Sequence, residues 1–181
     1  MDEFPNGDLI WTPQQLHARL GDESLTVIDM RPAHELMQGI IPGAAHFDLY
    51  GLGLTRTTPE LFEEWVNMMR SQLALRGAGT DRTVVFYEGE SGMRAARGFW
   101  LLEYMGHTDV HVLDGGAKAW LAAGYQLTQE MTAPKPHSLK MQPKEEVFIS
   151  ADQLHARLGE VLPLDTRSLD EHLGRNKRGG P

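Results

Sequence analysis

The sequence predicts an α/β domain built on a mainly parallel sheet flanked by helices on both faces. Three observations carry that reading. Strand-like and helix-like patterns alternate along most of the chain, as they do when crossover helices link parallel strands. Thr83-Val84-Val85-Phe86-Tyr87 is a continuous β-branched and aromatic run, the signature of a strand buried on both faces. The opening elements of the chain also return near its end, from Gln153 onward.

Taken in order, Thr12-Pro13-Gln14-Gln15 opens a short helix, with Thr12 as N-cap, Pro13 at the first helical position and Gln15 three residues on. Gly21 stops it. Leu25-Thr26-Val27-Ile28 reads as a strand ending at Asp29-Met30-Arg31-Pro32, and Ala33 to Gln38 as a helical turn. Gly39 to Ala45 turns the chain into a second short strand near His46. Thr58-Pro59-Glu60 begins the longest helix, which runs to about Leu75 with Leu61, Phe62, Trp65, Met68, Met69, Gln72 and Leu73 on its inner face. Asp109 to Leu113 is a further strand, and Asp114-Gly115-Gly116 starts a helix through Trp120 that Gly124 closes. Trp65, Trp100 and Trp120 fall at inward helical positions and read as core.

The 181 residues carry a formal charge of −8 and no cysteine. Disulfides, thiolate chemistry and cysteine-based zinc sites are therefore excluded from this segment. The acidic balance argues against nucleic acid, since no basic face is available to displace counterions. The cluster Arg175-Asn176-Lys177-Arg178 reads as a solvated loop. No apolar run approaches the roughly 20 residues that span a bilayer. Met1 to Asp8 lacks the basic and apolar regions of a secretion signal, so a cytoplasmic location is expected.

Chemistry concentrates after the Thr83–Tyr87 strand. The loop Glu88-Gly89-Glu90-Ser91-Gly92-Met93-Arg94 leads into a helix from Met93 to Tyr104, with Met93, Ala96, Trp100, Leu101 and Tyr104 giving its apolar rhythm. A tight loop entering a helix aims several backbone N–H groups at one point, and the helix dipole favours an anion or a reactive nucleophile there. The nucleophile is missing. Glu88 and Glu90 instead bring negative charge to the loop, and either carboxylate is a candidate to fill the anion position itself. Ser91 has the place of a helix N-cap. Arg94 and Arg97, on the first turns of the helix, are candidates to pair with Glu88, Glu90 or Asp29, or to face another module. His107 and His111 lie in a turn entering a strand and do not share a helix face, so a metal site is not expected.

Gln15-Leu16-His17-Ala18-Arg19-Leu20-Gly21 recurs letter for letter as Gln153-Leu154-His155-Ala156-Arg157-Leu158-Gly159. Ser150 answers Thr12, Asp165-Thr166-Arg167 answers Asp29-Met30-Arg31, and Glu171 answers Glu35. The period far exceeds the roughly 20–50 residues of solenoid repeats and indicates a duplicated domain. The expected organisation is a domain over 1–127, a proline-bearing linker over 128–146 and the opening of a second domain over 147–181. Val161, Leu162 and Leu164 are then poorly covered, so residues 147–181 are expected to be mobile or held by another chain.

Asp29-Met30-Arg31 with Glu35, followed by Gly39-Ile40-Ile41-Pro42-Gly43-Ala44, resembles the rhodanese pattern Asp-x-Arg, Glu and Gly-His-Ile-Pro-Gly-Ala. Val84 to Tyr87, the loop, Gly106-His107, Val112 to Gly116 and Trp120 resemble the rest of that domain. The likeness covers about residues 9–125 and resumes over about 148–181. It implies a rhodanese-like fold and the tandem arrangement of thiosulfate or 3-mercaptopyruvate sulfurtransferases, whose C-terminal module carries the catalytic cysteine. Here the cysteine position falls on Glu88, aligned from the strand, or on Gly89, aligned from Ser91-Gly92. Ile40 replaces the motif histidine, and Glu171 stands near where mercaptopyruvate-using relatives place a carboxylate-binding arginine.

The resemblance implies a non-catalytic N-terminal module. The parent protein would move sulfane sulfur from a small sulfur-containing anion to a thiophilic acceptor through a downstream cysteine persulfide, without metal or cofactor. The module would pack against the missing C-terminal module or another chain, and the 181-residue chain alone would not turn over. Asp29, Arg31, Asp165 and Arg167 are expected to support loops rather than react. Two other readings stay open: Glu88 and Arg94 have the spacing of a phosphatase Cys-x5-Arg loop, which points to an anion-binding or regulatory module. Gly89-Glu90-Ser91-Gly92-Met93 approaches the hydrolase elbow Gly-x-Ser-x-Gly but lacks its last glycine.

Overall fold

The β-branched and apolar runs pair into a five-stranded sheet, and every strand pair in it is parallel. In chain order the strands are β1 (Ile10–Trp11), β2 (Leu25–Asp29), β3 (Ala45–His46), β4 (Thr83–Tyr87) and β5 (Val110–Leu113), with spatial order β1-β5-β4-β2-β3. This computed structural model describes residues 6–54 and 56–175. All five residues of β4 are buried, as a central parallel strand covered on both sides requires. β1 had no counterpart among the expected strands; its two residues pair with Val112 and Leu113.

Alternation along the strands feeds two cores. On one face Ile28, Val84, Phe86 and Val110 pack against helix α2 (Pro59–Leu75) and helix α3 (Met93–Tyr104). On the other, Val27, Val85, Tyr87 and Leu113 pack against Leu16 of α1 (Pro13–Arg19), Ile40, Ile41, and Ala117 and Trp120 of α4 (Gly116–Ala122). The expected α/β architecture with helices on both faces is therefore present.

Local chemistry sets the helix starts. The Thr12 hydroxyl accepts from Gln15 N–H while the Gln15 side chain accepts from Thr12 N–H, which makes a capping box. Two helices turn differently from expectation. In α2 the buried stripe is Phe62, Trp65, Val66, Met69 and Leu73, while Leu61 and Met68 are exposed. In α3 it is Ala95, Gly98, Leu101 and Leu102, and Met93 and Ala96 face outward. Gly98 explains the second rotation, because a Cβ there would lie 2.7 Å from the Phe86 ring. Residues 33–38 form a 3-10 turn. Trp65 and Trp120 are buried, and Trp100 is half-buried with its indole N–H on Val147 O.

The stretch expected as a linker is strapped along the first unit. Thr128 exchanges backbone hydrogen bonds with Ile40, His137 N–H donates to Ala74, Gln142 to Met105 and Lys144 to Tyr104. Leu139 enters the core, and Phe148 stacks on Phe62 at 4.1 Å. The chain divides into a first compact unit that runs to Phe148 and a second that starts at Ile149.

The second unit contains α5 (Ala151–Ala156), capped by Ser150 and Gln153, and α6 (Leu169–His172), capped by Ser168 and Glu171. Leu162 and Leu164 are 83% and 80% exposed. Arg175 lies 3.8 Å from Asp170. Asn176, Lys177 and Arg178 of the basic cluster, and Met1 to Pro5, lie outside the described residues.

Candidate functional site

Parallel sheets present their ligand-binding loops at the carboxyl ends of strands, and Glu88–Arg94 occupies that place after β4. Its central feature is Glu88. The carboxylate turns back into the loop, where Oε1 accepts from Ala95 N–H at 2.9 Å in the first turn of α3. A Cβ built on Gly92 would lie 3.1 Å from both Glu88 oxygens, so the carboxylate sits beside the helix entry. Of the two glutamates that sequence left as candidates, Glu88 is the one whose carboxylate accepts from the first turn of α3. The helix dipole and the Ala95 N–H hold the charge there.

Glu90 points away and pairs with Lys118 at 2.7 Å, both largely exposed. Glu35 approaches from the other side, its Oε2 within 3.4 Å of where a Gly89 Cβ would stand. The loop is thus flanked by carboxylates. Its shape is fixed by a second helix, since Ala117 and Lys118 N–H of α4 donate to the Glu88 and Gly89 carbonyls at 2.8 and 3.0 Å. Gly116, at φ +57°, permits this approach; any Cβ there would collide with the Glu88 carbonyl.

Ser91 is not the helix N-cap. That position falls on Gly92. The Ser91 hydroxyl instead donates to Asp114 Oδ1 at 3.3 Å and accepts from Gly115 N–H at 2.8 Å, tying the loop to the β5–α4 turn. Arg94 does not pair with Glu88, Glu90 or Asp29 either. It bonds Asp48 at 2.5 Å and lies over the Tyr50 ring, while Arg97 lies over Trp65. Met93 is exposed. Asp48, Tyr50, Asp114 and Lys118 complete the site; only the Asp114-Gly115-Gly116 run marked any of them in sequence.

Asp29 and Arg31 lie beneath, with exposures of 0% and 1%. The Arg31 Nη2 donates to Asp29 Oδ2 at 2.6 Å and to Gly39 O at 2.6 Å. The Tyr87 hydroxyl donates to Asp29 Oδ2 at 2.7 Å and accepts from Ile41 N–H. Burial, reinforced by the Asp29 charge, pushes the Tyr87 hydroxyl well above its ordinary pKa. Burial opposes the Arg31 charge, yet the hydrogen bonds and charge of Asp29 prevail and raise its pKa. The network links β2, β4 and the Gly39–Ile41 turn and does not reach the loop's open side. In the second unit Asp165 and Arg167 form the same pair at 2.6 Å, exposed.

His107 Nδ1 accepts from Asp109 N–H, and its Nε2 is 3.0 Å from Gly79 O. His111 bonds Asp8 O and Asp109. Among the described residues no group of three or more metal-ligating side chains converges.

With this geometry in place, comparison with known proteins assigns the class. The rhodanese-like domain family matches residues 12–123, and the chain belongs to that family. Within it the likeness is to thiosulfate and 3-mercaptopyruvate sulfurtransferases. The chain is 31% identical over 176 residues to a thiosulfate sulfurtransferase of Azotobacter vinelandii, covering 96% of this chain and 65% of that protein. It is 35% identical over 177 residues to a probable 3-mercaptopyruvate sulfurtransferase of Pseudomonas aeruginosa, covering 87% and 61%. The chain therefore spans less than two thirds of the length of these relatives. Among solved structures, the Escherichia coli protein SseA, a 3-mercaptopyruvate sulfotransferase of rhodanese fold, matches at a TM-score of 0.73 and 20% identity, over 84% of this chain and 63% of its own. At that identity the likeness is one of fold. No described helix is long and apolar enough to cross a membrane.

Proposed function

We propose that the first unit is a non-catalytic N-terminal module of a sulfurtransferase, and that the persulfide-forming cysteine lies downstream of this chain. The observation that carries the reading is the Glu88 carboxylate seated on the first turn of α3. Rhodanese chemistry needs a thiolate whose persulfide sulfur faces the loop amides. Here the Glu88 carboxylate takes the Ala95 N–H in the first turn of α3, and a carboxylate does not attack sulfur. Glu35 and Glu90 add negative charge around it.

The parent protein would take sulfane sulfur from thiosulfate or 3-mercaptopyruvate and hand it to a thiophilic acceptor, with the cytoplasm as its compartment. The first unit would support a second, catalytic module that opens with Ile149 onward. The repeat of the Thr12 capping box at Ser150 and of the Asp-x-Arg pair at Asp165 and Arg167 supports that second module. The alternative, an anion-binding regulatory loop, is opposed by the same Glu88 geometry, because a phosphate would have to displace a covalently tethered carboxylate.

The test is thiosulfate:cyanide and mercaptopyruvate:cyanide sulfurtransfer by this chain and by the reading frame continued past Pro181. Turnover by the longer protein alone is the expected result. Turnover by the cysteine-free chain would overturn the proposal.

A further inference from the structure

A second concavity lies at the other end of the strands, around the amino ends of β2 and β4. The cavity measures about 360 Å³, and Leu25, Thr26, Arg76, Gly77, Arg82 and Lys135 line it. A neighbouring cavity of about 420 Å³ shares Arg76 and Thr132–Pro134 of the strap. Together they reach the size of a small-molecule cleft.

Neutral acceptors position its cations. Arg82 donates through Nε to the Thr26 hydroxyl and through Nη2 to Leu25 O, both at 2.8 Å. The Thr26 hydroxyl itself donates to Gly77 O, which fixes its lone pairs toward Arg82. Arg76 donates through Nε to His46 O at 2.7 Å and through Nη1 to the Gln72 carbonyl and side chain, with its Cζ 4.2 Å from the Phe47 ring centroid. Both guanidinium groups are half-buried, and each keeps N–H donors beyond these bonds. Among the described residues, Arg76, Arg82 and Lys135 form no ion pair. Glu23 is the one acidic residue of its lining. Burial without a counter-charge lowers the Arg76 pKa, the mark of a cation whose environment is short of negative charge.

We propose that this cleft binds a small dianionic phosphate compound, of the phosphate-ester or pyrophosphate class. Two preorganised guanidinium groups offer the forked donors that match phosphate oxygens, and Lys135 on the strap supplies a third charge in the lining. The site is separate from the Glu88 loop and does not depend on the sulfurtransferase reading.

Calorimetric titration of the whole chain with inorganic pyrophosphate, at constant ionic strength and with chloride as blank, tests it. Saturable binding at one site is expected, with amide shifts at Gly77 and over residues 132–137. Arg82→Met and Lys135→Glu should each weaken it about tenfold or more, and Lys118→Glu, beside the Glu88 loop, by less than about twofold. If Arg82→Met fails to fold, the exposed Lys135→Glu variant decides alone. Heat equal to the chloride blank, shifts centred on Gly89–Met93, or equal losses from Lys118→Glu and Lys135→Glu would overturn the proposal. Thiosulfate binding as tightly as pyrophosphate would overturn the phosphate assignment.

Discussion

Asp29–Arg31 and Asp165–Arg167 are one structural frame in two settings. In each, the arginine N–H and Nε donate to Oδ1 and Nη2 donates to Oδ2, the last at 2.6 Å in both. The surroundings differ. In the first unit the pair is sealed, Arg31 also holds Gly39 O, and Asp29 also takes the Tyr87 hydroxyl. In the second, the Asp165 and Arg167 side chains are 35% and 59% exposed, and His172 Nδ1 takes the place at Oδ2. The bidentate geometry is local, a product of i, i+2 spacing. Its energetic weight comes from what closes around it, because a buried charge that loses its partner cannot turn to water.

The strongest way to break the comparison is Arg31→Met. It strands Asp29 in the interior and should lower the unfolding free energy of the first unit by about 3–5 kcal/mol, read from urea or thermal denaturation. A loss as small as that of a surface pair would mean that burial does not set the weight.

Tyr87→Phe sharpens the same point, since it removes the hydroxyl between Asp29 and Ile41 and should cost about 1–3 kcal/mol. It carries a pH signature as well. The folded-state pKa of Tyr87 is raised, so its contribution is complete below the ordinary tyrosine value near 10 and is lost as pH climbs from there toward the folded value. Stability above about pH 10 should therefore fall less steeply in Tyr87→Phe than in the parent chain. Equal slopes would contradict the assignment.

Glu88→Gln comes next. It keeps an acceptor for Ala95 N–H but removes the charge at the α3 entry, for an expected loss of about 0.5–1 kcal/mol and no gain of sulfurtransfer. A stabilised variant would mean that the carboxylates around the loop repel more than the helix dipole attracts. The smallest effect belongs to Arg167→Met, where the main unfolding transition should not shift. The Arg167 and His172 hydrogen bonds hold the Asp165 carboxyl below its usual range, so its contribution exists above the ordinary carboxylate pKa and fades as pH falls. Exposure to solvent keeps that contribution local, and a shifted main transition would show otherwise.

Much of the first unit was legible because its signals are local. The buried β4 run, the Thr12 capping box and the Pro59 helix start all rest on neighbours within four residues. So does the Asp-x-Arg frame, which the repeat exposed twice. The loop's position was legible for the same reason, as a strand followed by glycines and a helix. Its wiring was not. Ser91 reaches Asp114 and Gly115, and Arg94 reaches Asp48, each across more than twenty residues of chain. The faces of α2 and α3 were misread by one position because apolar spacing alone placed Met93 and Leu61 inside. The close seat of Gly98 on Phe86 turned α3 otherwise.

By itself the sequence determined the family, the alternation of strands and helices, the absence of a thiol and the recurrence of Gln15–Gly21 at Gln153–Gly159, all of which are carried by residue identity and short-range order. The tertiary structure alone decided which of Glu88 and Glu90 meets the first turn of α3, and that residues 128–148 are strapped to the first unit. Only the tertiary structure separated a sealed Asp–Arg pair from a solvated one. Those outcomes depend on desolvation and on partners distant in the chain, and neither is written in the spacing of neighbouring residues.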